Sequence, residues 1–184
     1  MSNRDEIKTK LQDHANLWKA CEACMIADWA FQKVFFDGSV TPYWLFCGEG
    51  PGVSEDALGQ PFVGASGRLL REALDLVGFP HIAYALTNLV ACRPCDSPRG
   101  DNRTPNQTEI ENCSDRLRGL IDILKPRILV AVGRVAAVQL SDNYNLPMRS
   151  ILHPSFILRR GGRKAKEWKD WLLSLNKIKE GAND

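Results

Sequence analysis

Three short segments carry residue types that could act on a ligand. Gly48-Glu49-Gly50-Pro51-Gly52 follows the apolar run Tyr43-Trp44-Leu45-Phe46. Asn88 stands late in the apolar run 84–90, and His153 precedes Pro154 and Ser155 just after Ser150-Ile151-Leu152. A glycine-rich turn after a strand often binds phosphate, yet this one lacks the lysine of a P-loop and the spacing of a dinucleotide fingerprint. An asparagine late in a strand is often a satisfied turn residue and a histidine before proline a surface residue, so the weight lies on the three occurring together. The cysteines supply a second constellation. Cys21 and Cys24 form a C-x-x-C pair, and Cys92 and Cys113 lie far downstream with twenty residues between them. Such a pair can chelate a metal or cluster from one turn, and two more thiolates complete fourfold ligation. Zinc and an iron–sulfur cluster both suit this set. A redox pair is the minor reading, because the motif lies outside any strand-to-helix turn of the thioredoxin type. Cys95 is a rival for the third or fourth ligand, whereas Cys47, inside an apolar strand, reads as core. From Arg159 to Lys169 a run of basic residues is interrupted by a single acid, Glu167. It reads either as a phosphate-binding end of the chain or as the solvated face of a C-terminal helix.

The elements that would hold these residues alternate between two periods. Residues 43–46, 84–90, 127–132 and 150–152 are short apolar runs of strand type. Between them, residues 67–77 place Leu69, Leu70, Ala73, Leu74 and Val77 at helical spacing before Gly78. A second helix opens at Thr104-Pro105-Asn106-Gln107, with Thr104 as the expected cap, and carries Ile110, Cys113, Leu117, Leu120, Ile121 and Leu124 on one face. Strands alternating with helices predict a mostly parallel sheet covered on both faces. In that architecture ligands bind beyond the carboxyl ends of the strands, where all three segments would converge.

Composition sets the frame. The chain has 184 residues, 44% hydrophobic and 25% charged, with a net charge of +2. These values describe a folded protein long enough to bury a core without disulfides, and one domain spanning 1–184 is expected. No apolar run reaches a membrane span, and the polar start has no signal-peptide features, so a cytoplasmic location without membrane association is expected. Cysteines in a reducing compartment are thiols or metal ligands before they are disulfides.

Taken in order, "CEAC" leading to "VFFDG", "GEGPGVSEDALGQPFVG", "TNLVACRP" with its later Cys113, and "HPSFILR" resemble the family 4, iron–sulfur branch of the uracil-DNA glycosylases. The resemblance runs from about Cys21 to Arg159. It implies a three-layer α/β/α sandwich around a short, mostly parallel sheet, with an N-terminal cluster-binding segment of about residues 15–40, and a structural 4Fe–4S cluster held by Cys21 and Cys24 of that segment together with Cys92 and Cys113. It further implies a monomeric, monofunctional glycosylase acting on DNA, single- or double-stranded, that contains the target base.

The resemblance also distributes roles. Excision breaks the base–sugar bond and leaves positive charge on the sugar and negative charge on the base, after the base has been flipped from the stack. Phe62 would hold the flipped base against its ring. Asn88 would read the Watson–Crick edge, and His153 would donate to the base oxygen where charge develops. Gly48, Gly50, Pro51 and Gly52 would let the backbone pack against the base and the adjacent phosphate. Glu49 and Glu55 are the nearest carboxylates for orienting water, since Gly50 stands where the better-known branch has an aspartate. Ser155, Phe156 and Ile157, with Leu158, would supply the wedge that fills the vacated stack, and Arg159 and Arg160 would contact phosphate.

The sequence departs from the family pattern in two places. The Cys92–Cys113 interval is long and contains Cys95, and the segment from Gly133 to His153 is short. Gly52, where other branches carry a pocket-blocking aromatic, predicts space near the 5-position of a pyrimidine. That space makes a glycosylase for a bulky modified pyrimidine, such as occurs in viral DNA, the alternative within the enzyme class. A non-catalytic DNA-binding or polymerase-associated module of the same fold is the alternative outside it.

Overall fold

A computed structural model describes residues 2–181; Met1 and residues 182–184 of the expected 1–184 domain lie outside the described residues. Among the described residues, five strands form one sheet in the order β1-β3-β2-β4-β5. They are β1 (Phe36–Gly38), β2 (Trp44–Gly48), β3 (Tyr84–Asn88), β4 (Ile128–Val132) and β5 (Met148–Ile151). β2 pairs in parallel with β3 on one side and β4 on the other, β5 runs parallel to β4, and only β1 is antiparallel. β2, β3 and β4 are buried at every position, which is why they read as unbroken apolar runs. β1 has three residues, with Asp37 in the middle, and carries too little apolar pattern to be read as a strand.

Side chains alternate between two cores, one on each face of the sheet. Trp44, Phe46, Leu86 and Val130 point into a core closed by α4 (Ala65–Val77), α7 (Pro154–Arg159) and α8 (Trp168–Glu180). Leu45, Cys47, Ala85 and Leu129 point into the other, closed by α1 (Asn3–Lys19), α5 (Gln107–Leu124) and α6 (Arg134–Asn143). This is the expected three-layer arrangement. The remaining short helices are α2 (Met25–Trp29) and α3 (Val53–Leu58). Among the described residues no helix is long and apolar enough to cross a membrane.

Helix α5 corrects one expectation. Its cap is Asn106, not Thr104: the Asn106 side chain accepts from Glu109 N and Glu109 Oε2 accepts from Asn106 N, both at 2.9 Å. Asn106 with Glu109 satisfies two orphan N–H groups, a stronger start than Thr104 with Gln107 would be. The chain reverses direction across the sheet at β2, with β3 on one side and β4 on the other. The loops after these strands therefore open a crevice at their carboxyl ends.

Candidate functional site

A cleft of about 700 Å³ occupies that crevice, within the usual range for small-ligand sites. Glu49, Gly50, Pro51 and Gly52 line it from the loop after β2, Asn88 from the end of β3, and Phe62 from the segment before α4. His153, Ser155, Leu158 and Arg159 line it from the loop after β5 and from α7. The three segments singled out in the sequence thus do converge. Gly48 shows how tightly. A methyl group built on its Cα would lie 2.5 Å from Asn88 Oδ1 and 2.8 Å from Phe62 Cζ, so only glycine lets the amide and the ring approach each other.

Phe62 is held in place from several sides. Its φ is +57°, a left-handed value uncommon for an aromatic residue. Arg71 fixes that turn by donating from Nε to Phe62 O at 2.9 Å and from Nη2 to Pro61 O at 2.8 Å, while pairing with Asp37 at 2.7 Å. Gly67 in α4 lies directly beneath, where any side chain would collide with the Phe62 backbone. Of the two expected water-orienting carboxylates, Glu55 proves to be part of this scaffold. Its Oε1 accepts from Val63 N at 2.9 Å and Gly64 N at 2.7 Å, and its Oε2 accepts from Gly52 N at 3.1 Å. It is buried and clips the start of α3 to the loop bearing Phe62.

Glu49 is placed differently. Among the described residues no hydrogen bond or ion pair engages its carboxylate, and burial pushes its pKa upward. It lies beside His153: a methyl built on Gly133 would be 3.3 Å from Glu49 Oε1 and 3.1 Å from His153 Cβ. His153 caps α7, its Nδ1 meeting Ser155 N at 3.2 Å and Ser155 Oγ at 2.7 Å. A backbone N–H can only donate, so Nδ1 must accept and the ring proton sits on Nε2. Burial, and secondarily the Arg159 cation, lower the His153 pKa and favour the neutral ring. The Asn88 amide is buried at the cleft wall, and among the described residues its side chain makes no hydrogen bond.

Helix α7 corrects the expected wedge. Ile157 is fully buried in the core with α4 and α8, so it cannot enter DNA, and Phe156 packs partly against the same core. Leu158 and Arg159 are the exposed residues of this helix at the cleft. Arg160 is engaged elsewhere, donating to Glu167 Oε1 at 3.0 Å and lying 4.9 Å from the Phe156 ring centre. The space expected at Gly52 is also taken. A methyl there would be 2.9 Å from Glu55 Oε2 and 3.1 Å from Asn102 Nδ2. Asn102, Arg103 and Thr104 form a wall of the cleft that the sequence did not announce. Arg103 anchors this wall through Glu109, at 2.6 and 2.8 Å, and through Asp96 at 2.6 Å.

Cys21, Cys24, Cys92 and Cys113 line a common small pocket between the C-x-x-C loop, the segment after β3 and α5. Burial pushes the Cys92 thiol up to about 12, opposed by Lys33 and reinforced by Cys113, Cys24 and Cys21. Burial likewise raises Cys24, again with Cys113 and Cys21 contributing. Cys24 and Cys92 are thus both influenced by Cys21 and Cys113. Cys95 does not line this pocket, and its thiol is turned to Arg93 O at 3.6 Å. Cys47 is buried in the α5-side core, as expected. Among the described residues, no three His, Cys, Asp or Glu side chains are grouped to hold a single metal ion. Asn112 donates to Ala23 O at 2.8 Å and ties the C-x-x-C loop to α5.

Comparison with known proteins adds independent findings. Residues 35–174 match the family described as the Uracil DNA glycosylase superfamily. The chain is 40% identical over 132 residues to a type-4 uracil-DNA glycosylase of Pyrobaculum aerophilum, covering 72% of this chain and 65% of that protein. With the enzyme of the same name from Archaeoglobus fulgidus it shares 35% over 125 residues, 66% of this chain and 60% of the relative. With that of Thermotoga maritima it shares 30% over 175 residues, 86% of this chain and 87% of the relative. The match thus spans somewhat under two thirds of the first two relatives and most of the third.

Proposed function

The chain belongs to the uracil-DNA glycosylase superfamily, on its type-4 branch, and from that membership we propose that it excises uracil from DNA, leaving an abasic site. One observation carries the reading: a neutral His153 with its proton on Nε2, an uncommitted Asn88 amide and the Phe62 ring all line one cleft. Flipping uracil out of the stack costs about a few kcal/mol, least for a mispaired or single-stranded base. Phe62 then takes the base face. The Asn88 amide pairs with its N–H and C=O edge, and cytosine presents the opposite pattern. As the N-glycosidic bond breaks, its electron pair goes to the base, and the His153 Nε2–H donates to the base oxygen that gains charge. Glu49 orients the water that bonds to the sugar carbon and accepts its proton; Glu55 acts by holding Phe62 and Gly52. Leu158 takes the wedge role and Arg159 meets phosphate.

We assign Cys21, Cys24, Cys92 and Cys113 to a structural 4Fe–4S cluster. Four cysteines lining one pocket match the ligand count of a cluster, and the resemblance to the iron–sulfur branch favours it over a lone zinc. Two further features fit an anionic group: Lys33 and Arg116 both line the pocket, and the buried Nε of Arg116 has no partner. The cluster would supply cross-linking of the N-terminal segment to β3 and α5, since base excision transfers no electron. The protein would act as a monomer. The test is single-turnover excision on oligonucleotides with uracil, deaminated purines or modified cytosines. Alkali-cleavable product is expected from uracil, with His153→Ala slower by roughly a hundred- to a thousandfold, about 2.7–4 kcal/mol. Binding without product from any substrate would make the chain a DNA-binding module instead, and product from modified cytosine alone would make it a glycosylase for those bases.

A further inference from the structure

Arg116 is a buried cation without a carboxylate. Its side chain is 1% exposed, and among the described residues it forms no salt bridge. Nη2 donates to Asn88 O at 2.6 Å and Leu89 O at 2.7 Å, and Nη1 lies 3.4 Å from Thr87 Oγ1, while Nε is left unpaired. These acceptors are dipoles, which orient a guanidinium but do not neutralise it. Burying an unpaired charge is strongly unfavourable, so a counter-charge is required. The neighbouring acids do not provide one. Glu109 lines the same pocket but is taken by Arg103, and Asp115 and Asp122 on the same helix are exposed. What Arg116 does border is the pocket of the four cysteines, with Cys113 three residues earlier on its own face of α5.

We propose that Arg116 is the internal counter-charge of the cluster and, through the two carbonyls it grips, the positioning residue that sets Asn88 for reading the base. The inference rests on the cluster assignment made above. An anionic cluster with four thiolate ligands supplies the charge that the guanidinium lacks. The same guanidinium holds Asn88 O and Leu89 O, at the point where β3 ends and the base-reading amide begins. The backbone between cluster and cleft is short and doubly tied: Leu89 N donates to Gly48 O at 2.9 Å and Val90 N to Glu49 O at 3.3 Å. One residue therefore borders the cysteine pocket and, by its fork of donors, grips the two backbone carbonyls at the end of β3.

Three variants of the iron-loaded protein separate these functions. Arg116→Gln keeps hydrogen-bonding capacity and removes charge, Arg116→Lys keeps charge and removes the fork, and Arg116→Met removes both. In Arg116→Gln and Arg116→Met the cluster's midpoint potential should move to more negative values, because a nearby cation favours the added electron. Iron release to a chelator should be severalfold faster. In Arg116→Lys the potential and release should stay near wild type, while the ratio of uracil to cytosine excision falls severalfold at unchanged DNA affinity. A residue that merely fills space would change the melting temperature and leave the potential alone. If Arg116→Gln and Arg116→Met do not fold, Arg116→Lys still decides: wild-type base discrimination overturns the positioning role, and a potential displaced as far as complete loss of charge would produce overturns the electrostatic one. Iron-loaded Arg116→Gln with wild-type potential and iron release overturns the inference while leaving the cluster assignment intact. Wild-type protein that binds zinc or no metal overturns the cluster assignment, and this inference with it.

Discussion

His153 has one nitrogen left with which to donate, because Ser155 occupies the other. The neighbouring carboxylate, like the ring, acts in its deprotonated form, but its burial shifts its pKa the other way. Burial raises the Glu49 pKa above its ordinary 4.5, so the folded protein binds that proton more tightly than the unfolded chain does. The stability this contributes is present below pH 4.5 and is lost as pH rises through the raised value. Glu49→Gln should therefore gain in melting temperature over wild type as pH goes from acid to neutral. Excision by wild type should rise over the same interval as the carboxylate ionises, whereas Glu49→Gln should be slow and lack that contribution, keeping only the dependence that His153 imposes. An equal melting-temperature difference at both ends of the range would remove Glu49 from this role. Asn88→Ala should narrow the preference for uracil over cytosine by about 1–3 kcal/mol, the usual worth of a bidentate base contact. Competition between the two oligonucleotides measures it. Both residues were legible from their neighbours in the sequence. Glu55 looked equal to Glu49, because nothing in a sequence tells which carboxylate is saturated by distant backbone donors such as Val63 N and Gly64 N.

Element by element, the strands were the easiest to read, since β2, β3 and β4 are buried on both faces and had to be continuous apolar runs. β1 escaped notice because an edge strand of three residues is specified by its partner. Phe36 sits opposite Thr87, and Thr87 Oγ1 donates to Phe35 O at 2.6 Å. Helix α7 was misread as a projecting wedge. Its short turn sends Ile157 inward and Leu158 outward, an orientation fixed by α8 and by α4, which lies far away in sequence. Two outcomes follow. Ile157→Ala should cost about 2–5 kcal/mol of stability by denaturant titration, as a core truncation does, with DNA affinity kept in the folded protein. Arg159→Glu should weaken binding to all sequences alike and lower the slope of log affinity against log salt by about 0.9 or more, one phosphate contact's share. Arg160→Glu should do less, because its cation already serves Glu167 and the Phe156 ring. Equal effects from both charge reversals would return the basic run to a diffuse surface role.

On the scale of the whole molecule, the cleft lies at the carboxyl ends of the strands and the four thiols gather between the C-x-x-C loop, the segment after β3 and α5. The three-layer class followed from the alternation of periods. The choice between Cys113 and Cys95 came from the resemblance alone, since residue spacing does not tell that α5 turns Cys113 into the pocket of the C-x-x-C pair while Cys95 faces Arg93 O. Cys113→Ser should accordingly abolish iron loading and Cys95→Ser should retain it, as judged by iron content and brown colour in purified protein. The reverse pattern would reassign the fourth ligand. The pocket has a further consequence during biosynthesis. Cys21 and Cys24 leave the ribosome first, and Cys113 is decoded roughly ninety residues later, about 5–20 s at usual elongation rates. For that interval the first two thiols have no completed site, so a nascent chain stalled between them is open to oxidation and to capture of the wrong metal.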